Sequence, residues 1–325
     1  MPHKAILQND KMTQLYWQVY KNLEHEFLSL AEVIHIDDDQ LENVYSMRIA
    51  DLLMHTAVEV ESLSKHLYMT NGGRKTDPSK MHFDTDCISL LNSKWNLEPK
   101  VALVVAQELY LEKEENLILT PLKNAQYRQP DSAEWEKAYQ AVKHDRINEL
   151  KPWGRLIYLL QALAALYILN LYNRDEKKEN IDSNAASALD MSFGSKLFAV
   201  KLHRAPGLGA DGIYHPSKDY DECVYIQDYE QKSKQAAVDD LVAFNSSLAD
   251  VLMEKYRAHL QSLSDEGKEI VISQEGFDNF KDEIIKKENI FKQAAQRSNH
   301  SSATFLNLHY DIFLNKNQYP LGETK

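Results

Sequence analysis

The pattern of apolar and polar positions is most uneven between residues 156 and 172. In this segment Gln161 and Asn170 are the only strongly polar side chains. A helix that is apolar on all sides is buried on all sides, whereas a membrane span needs about 20 such residues. The segment therefore predicts the central helix of a bundle rather than a membrane helix. Pro152, just before it, would fit the first helical turn.

Helical spacing predicts an N-terminal bundle around this segment. One helix carries an apolar stripe that includes Leu15, Leu23 and Phe27. Two short apolar runs predict a small β-hairpin inserted in the bundle. The predicted helices cover about 13–34, 40–69, 84–93 and 132–146, and the hairpin strands cover 100–106 and 117–120.

The composition changes after Tyr172, where residues 173–190 are first charged and then small and polar. This is typical of a linker. Beyond it, β-like runs alternate with two helices, near 234–262 and 277–296. The sequence therefore predicts a mainly α protein: a helical bundle domain over 1–175, a linker over 176–191 and a smaller α+β domain over 192–325. The predicted strands of this last domain lie in 196–202, 223–227, 269–273 and 304–314.

Charge and cysteine content narrow the classes of function. The 325-residue chain has a net charge of −12, which argues against a generally basic surface for nucleic acid but leaves room for a small basic pocket. Cys87 and Cys223 are far apart and form no CxxC motif, which favours a reduced, cytoplasmic protein. The N-terminus lacks the apolar core of a signal peptide.

The glycine-rich motif is weak. Gly207, Gly209 and Gly212 spell GxGxxG after a predicted strand. A dinucleotide fingerprint must also open a helix, and Pro216 stops one early. A glycine-rich surface loop is the favoured interpretation, and the sequence contains no P-loop motif.

Metal-binding patterns are weak as well. The run of acidic residues after His35, Asp37 to Asp39, lacks the spacing of a calcium loop and favours helix capping. His203 and His215 have no cysteine or carboxylate at ligand spacing in the sequence. No metal and no cofactor are therefore predicted.

Two groups of basic residues remain as candidate sites. Arg48 and His55 are seven residues apart on a predicted helix, so they point in nearly the same direction. An arginine can hold a phosphate while a histidine moves protons. The alternative is a helix surface with an unrelated arginine and histidine.

The second group of basic residues lies in the most basic short stretch of this acidic chain. Lys143, His144 and Arg146 are followed by Lys151 and Arg155. His144 and Arg146 are about 200° apart on a helix, so they share a site only if the helix ends between them or a second chain contributes. The alternative is a set of cations favoured by the dipole at a helix end.

The pair Arg48-x6-His55, followed by Glu59 and Glu61, resembles the signature of HEPN-domain proteins. The run WEKAYQAVKHDR before a long Leu/Ala helix is similar to HEPN-like bacterial proteins, and the resemblance covers about residues 13–175. It implies metal-independent RNA cleavage in a homodimer, with histidine assisting proton transfer at the 2′-hydroxyl and arginine steadying the phosphate charge. Many HEPN proteins act in toxin–antitoxin systems or phage defence, and others only bind.

Two functional hypotheses follow. The first is an RNA-cleaving or RNA-binding protein, and the alternative is a non-catalytic protein-binding or assembly module whose acidic surface contacts a partner. Convergence of the candidate residues in one cleft favours the enzyme, and scattered side chains favour the module. The candidate catalytic residues are His144, Arg146, Arg48 and His55, and the candidate phosphate-binding residues are Lys143, Lys151 and Arg155.

Overall fold

The computed structural model describes residues 2–204, 219–267, 273–298 and 308–317 and confirms the mainly α fold. The helices are α1 (Pro2–Ala31), α2 (Asp38–Asn43), α3 (Met47–Thr70), α4 (Ser89–Trp95), α5 (Glu114–Leu117), α6 (Glu134–His144), α7 (Arg146–Trp153), α8 (Leu156–Arg174), α9 (Ser183–Ser187), α10 (Gln231–Asp265), α11 (Gln274–Lys287) and α12 (Ile290–Ser298). A 3₁₀-helix spans Pro78–Lys80 and a π-helix spans Phe83–Ile88.

The described strands are short and form small sheets. They are β1 (Ile36–Asp37), β2 (Ala102–Val104), β3 (Leu109–Tyr110), β4 (Ile118–Leu119), β5 (Lys178–Ile181), β6 (Phe198–Val200), β7 (Leu202–Arg204), β8 (Tyr225–Tyr229) and β9 (Tyr310–Leu314). The sheet orders are β1-β3, β4-β2-β6 and β5-β9-β8-β7. The predicted hairpin is present, since Leu103 of β2 lies opposite Ile118 of β4 in an antiparallel pair.

The chain groups into two compact units, which differ from the predicted domains. Unit 1 comprises Met1–Lys178, Leu189–Asp228 and Ile312–Lys325, and unit 2 comprises Glu179–Ala188 and Tyr229–Asp311. The difference arises because β6, predicted in the C-terminal domain, pairs antiparallel with β2 of the bundle, with Val104 opposite Phe198. The segment predicted as a linker contains β5 and α9.

Helix α8 is the core of unit 1, as predicted. It packs against α1, α3 and α6, and Leu163 on it is fully buried. Tyr172 stacks on Trp95 at 4.8 Å between ring centroids, and its hydroxyl donates to the carbonyl oxygen of Asn315 at 2.7 Å. Within the described residues, α8 is the one helix long and apolar enough to cross a membrane, but most of it is covered by the protein itself, as in a core helix of a soluble protein.

At two places, capping residues set helix boundaries that differ from those predicted by the apolar pattern. The predicted helix over 40–69 is interrupted after α2, and Ser46 caps α3 by accepting a hydrogen bond from the Ile49 amide at 3.1 Å. Asp145 ends α6 and caps α7 by accepting from the Asn148 amide at 3.2 Å. Pro152 therefore lies in the last turn of α7, not in the first turn of α8.

Unit 2 is built on the long helix α10. Val251 and Leu252 form a buried cluster with Ile290 of α12. The buried residues of α10 are confined to its C-terminal half, and Leu241 in the N-terminal half is 46% exposed. The glycine motif at 207–212, Pro216, His215, most of the predicted strand 269–273 and residues 304–307 of the predicted strand 304–314 lie outside the described residues.

Candidate binding groove along helix α6

The first predicted pair, Arg48 and His55, lies on an exposed face of α3. An Nη atom of Arg48 lies 2.7 Å from a carboxylate oxygen of Glu26. Nε2 of His55 lies 3.8 Å from a carboxylate oxygen of Glu59. Both side chains are more than half exposed, so each faces solvent beside a carboxylate of its own.

Arg146 reaches the same face of α3 from α7. Its Nη1 lies 2.7 Å from Oδ1 of Asp51, which stands between Arg48 and His55 in the sequence. Its Nη2 contacts the sulfur of Met54 at 3.2 Å. The structure thus brings three of the four predicted catalytic residues to one helix face, where opposite charges alternate and the net positive field is small.

The predicted phosphate-binding residues are engaged in local contacts. Lys143 donates to the Tyr139 hydroxyl at 3.1 Å and lies 4.9 Å from the ring centroid. That hydrogen bond raises the pKa of Lys143 above its ordinary value. Arg155 donates to the carbonyl oxygens of Lys151 at 3.2 Å and Glu42 at 3.3 Å. Lys151 itself is exposed.

His144 is separated from Arg146 by the break between α6 and α7. It lies at the end of a hollow of about 580 Å³ that is also lined by Gln140, Glu149 and Trp153. Arg146 turns instead toward α3. The helix thus ends between the two residues, and within the described chain His144 lines the hollow while Arg146 contacts Asp51 of α3.

This hollow is one of three that follow α6 from end to end. A middle hollow of about 390 Å³ shares Pro130 and Lys137 with it, and a third of about 380 Å³ lies at the start of α6. We call the three together the α6 groove. Four of its residues recur every three or four positions on α6 and so share one face of the helix: Glu134, Lys137, Ala141 and His144.

The α6 groove is acidic. Lys137 is neutralised by Glu134 at 2.7 Å, and Asp145 is occupied in capping α7. The remaining carboxylates have no hydrogen bond or ion pair from any described residue. The groove contains five carboxylates, Glu115, Asp131, Glu134, Asp145 and Glu149, against two lysines, Lys123 and Lys137.

Aromatic side chains supply apolar surface in the same groove. Trp153 packs against Tyr158 with ring centroids 5.3 Å apart, and Tyr127 in the middle hollow is 49% exposed. Trp135 fixes the opposite wall by donating from Nε1 to the Pro121 carbonyl at 2.8 Å. The helix begins after Ala133, which provides no side-chain cap.

A buried carboxylate lies on the opposite face of α6. Glu136 is 3% exposed, and its Oε2 has no hydrogen-bond partner among the described residues. Burial raises the pKa of Glu136 to about 8, with smaller contributions from the charges of Asp84 and Glu61. The sequence does indicate the burial of Glu136, because this residue stands between the apolar positions of an amphipathic helix.

No family model, no curated protein and no solved structure matches this chain. The HEPN resemblance therefore stays a prediction.

Proposed function

We propose that this protein is a protein-binding module whose α6 groove receives an extended, basic segment of a partner. The observation that carries the proposal is the excess of carboxylates in the groove, three of which have no partner within the described chain: Glu115, Asp131 and Glu149. Such carboxylates attract lysine and arginine side chains and steer their approach.

The dimensions of the groove suit a peptide. Helix α6 has 11 residues and is therefore about 16 Å long, at 1.5 Å per residue. An extended segment of about five residues covers that length. Trp153 and Tyr127 would contact apolar side chains of such a segment, since aromatic residues are frequent anchors in protein interfaces.

The charge distribution favours this module over RNA binding at the groove. An acidic surface repels phosphates, and RNA-binding surfaces are basic. At the exposed face of α3, Arg48 already contacts Glu26 of α1, and Arg146 of α7 already contacts Asp51. RNA cleavage by the α3 face remains the competing proposal, and the experiment below includes it.

Binding can be measured by fluorescence anisotropy with two labelled peptides and one RNA. We expect an eight-residue peptide of alternating lysine or arginine and leucine to bind, and its glutamate counterpart not to bind. Binding should weaken as salt is raised, because the contacts are electrostatic. A single-stranded RNA, incubated with and without a chelator, should be neither bound nor cleaved.

Charge reversal locates the peptide on the protein. We expect Asp131→Lys combined with Glu149→Lys to weaken binding about tenfold or more, which corresponds to about 1.4 kcal/mol. Glu108→Lys is the matched control, because Glu108 is exposed and lies outside the α6 groove, and it should bind as the wild type does.

Two outcomes would contradict the proposal. Equal weakening by Glu108→Lys would show a nonspecific charge effect. RNA cleavage that is lost in Arg48→Ala or His55→Ala would instead establish the enzyme hypothesis on α3, and loss in His144→Ala would establish it at the end of α6.

A further inference from the structure

We infer that His203, Asp219 and Cys223 form a binding site for a zinc-type divalent metal ion. One ligand atom from each residue lies within 4.8 Å of the other two. Imidazole nitrogen, carboxylate oxygen and thiolate sulfur are the three ligand types that zinc takes from proteins. All three residues belong to unit 1.

The fold brings these residues together from two elements. His203 is the central residue of β7, and its side chain is fully buried. The backbone oxygen of Asp219 accepts from the amides of Glu222 and Cys223, both at 3.1 Å. This turn places the side chains of Asp219 and Cys223, four residues apart, on the same side, as one turn of a helix would.

Two separations in the cluster are close to those of a tetrahedral zinc site. Nδ1 of His203 lies 3.1 Å from Oδ1 of Asp219, and Sγ of Cys223 lies 3.6 Å from Oδ2 of Asp219. With zinc–nitrogen and zinc–sulfur distances of about 2.0–2.3 Å, tetrahedral ligand atoms are about 3.3–3.7 Å apart. A bound zinc ion would replace the two hydrogen bonds that join these side chains.

The donor set also selects the kind of ion. A thiolate and an imidazole favour zinc over magnesium and calcium, which prefer oxygen ligands. The side chain of Asp219 is 44% exposed, which gives an ion access to the cluster. Three protein ligands leave one tetrahedral position for water or another ligand.

The turn that carries two of the ligands is held from two sides. Lys100 is fully buried and donates to the Asp221 carbonyl oxygen at 2.7 Å. The amide of Asn315 donates to the carbonyl oxygens of Tyr220 at 2.8 Å and Cys223 at 3.1 Å. Supporting contacts of this kind fix a metal site before the ion arrives.

A cysteine nucleophile is the competing interpretation of this cluster. Cys223 is fully buried, and burial, with a smaller contribution from the charge of Asp219, raises the pKa of its thiol to about 12. Nucleophilic cysteines instead have lowered pKa values and partly exposed sulfur atoms. The surroundings of Cys223 therefore disfavour that role, whereas a bound zinc ion displaces the thiol proton itself.

Cobalt(II) provides a spectroscopic test in the full-length protein. After treatment with a chelator and its removal, we expect one equivalent of Co²⁺ to bind per chain. Binding should produce a thiolate-to-cobalt band in the near ultraviolet and the visible bands of tetrahedral cobalt. One equivalent of Zn²⁺ should displace the cobalt and abolish both.

Variants separate this site from other thiols. Cys223→Ser should lose the thiolate band, and Asp219→Asn should weaken Co²⁺ binding by about 100-fold. Cys87→Ser is the matched control, because Cys87 is also buried and reduced, and its spectrum should equal that of the wild type.

No band in the wild type, or a band that persists in Cys223→Ser, would overturn the inference. Asp219→Asn keeps the test valid if Cys223→Ser does not fold, because unchanged Co²⁺ affinity in that variant would also overturn it.

Discussion

Replacing Leu163 by alanine is expected to lower the free energy of unfolding by about 2–5 kcal/mol. Leu163 is fully buried in α8, and α8 is packed by α1, α3 and α6. The substitution removes apolar atoms from the centre of unit 1 and leaves a cavity that surrounding helices fill only in part. Urea unfolding followed by circular dichroism measures the loss.

The matched control is Leu15→Ala in α1. Leu15 is 55% exposed, so its truncation should change the free energy of unfolding by less than about 0.5 kcal/mol. Equal losses in both variants would mean that α8 is not the packed centre of the fold.

Replacing Glu136 by glutamine is expected to raise the free energy of unfolding by up to about 3 kcal/mol at pH 7. The ordinary pKa of a glutamate is 4.5, and that of Glu136 in the folded protein is about 8. Between these values the unfolded chain releases the proton of Glu136 while the folded chain retains it, so stability falls as pH rises. Glutamine removes this pH-dependent cost.

The pH dependence distinguishes this effect from a change in packing. The difference between Glu136→Gln and wild type should be small near pH 4.5, grow through neutrality and level off above pH 8. Glu134→Gln on the same helix is the control, because Glu134 is exposed, and its effect should be small across the range. A stability difference for Glu136→Gln that does not change with pH would contradict the expectation.

The sequence predicts α8 well because its side chains are apolar on all sides of the helix, which is typical of a buried helix. The same pattern predicts buried positions on α1, where Leu23 and Phe27 are buried, but it also predicts Leu15 as buried. Periodicity identifies one face of a helix and does not show where its packing partners end. The breaks at Ser46 and Asp145 depend on single capping hydrogen bonds, which the apolar pattern does not register.

The candidate site is less predictable because its charges are set by contacts between distant residues. The run around His144 is basic in the sequence, but Arg146 contacts Asp51 on α3. The carboxylates of the groove come from several elements, among them Glu115 of α5 and Glu149 of α7. Sequence spacing therefore indicates the basic residues near His144, but it does not indicate the carboxylates from distant segments that line the same groove.

The proximity of His203, Asp219 and Cys223 is not predicted by the sequence for the same reason. His203 and His215 flank the glycine motif, whereas Asp219 and Cys223 lie beyond both. The spacing of four between these two residues was the available signal. Without knowledge of the turn that joins them, it could not be connected to a histidine on a strand.

The position of Asn315 has a consequence for how the chain folds as the ribosome makes it. Asn315 is fully buried, accepts a hydrogen bond from Tyr172 and holds the carbonyl of Cys223. The residues of unit 2 from Tyr229 to Asp311 leave the ribosome before it. The contacts of Asn315 with the earlier segments of unit 1 can therefore form only after the intervening polypeptide has emerged, and incompletely packed segments are exposed to chaperones and to aggregation during that interval.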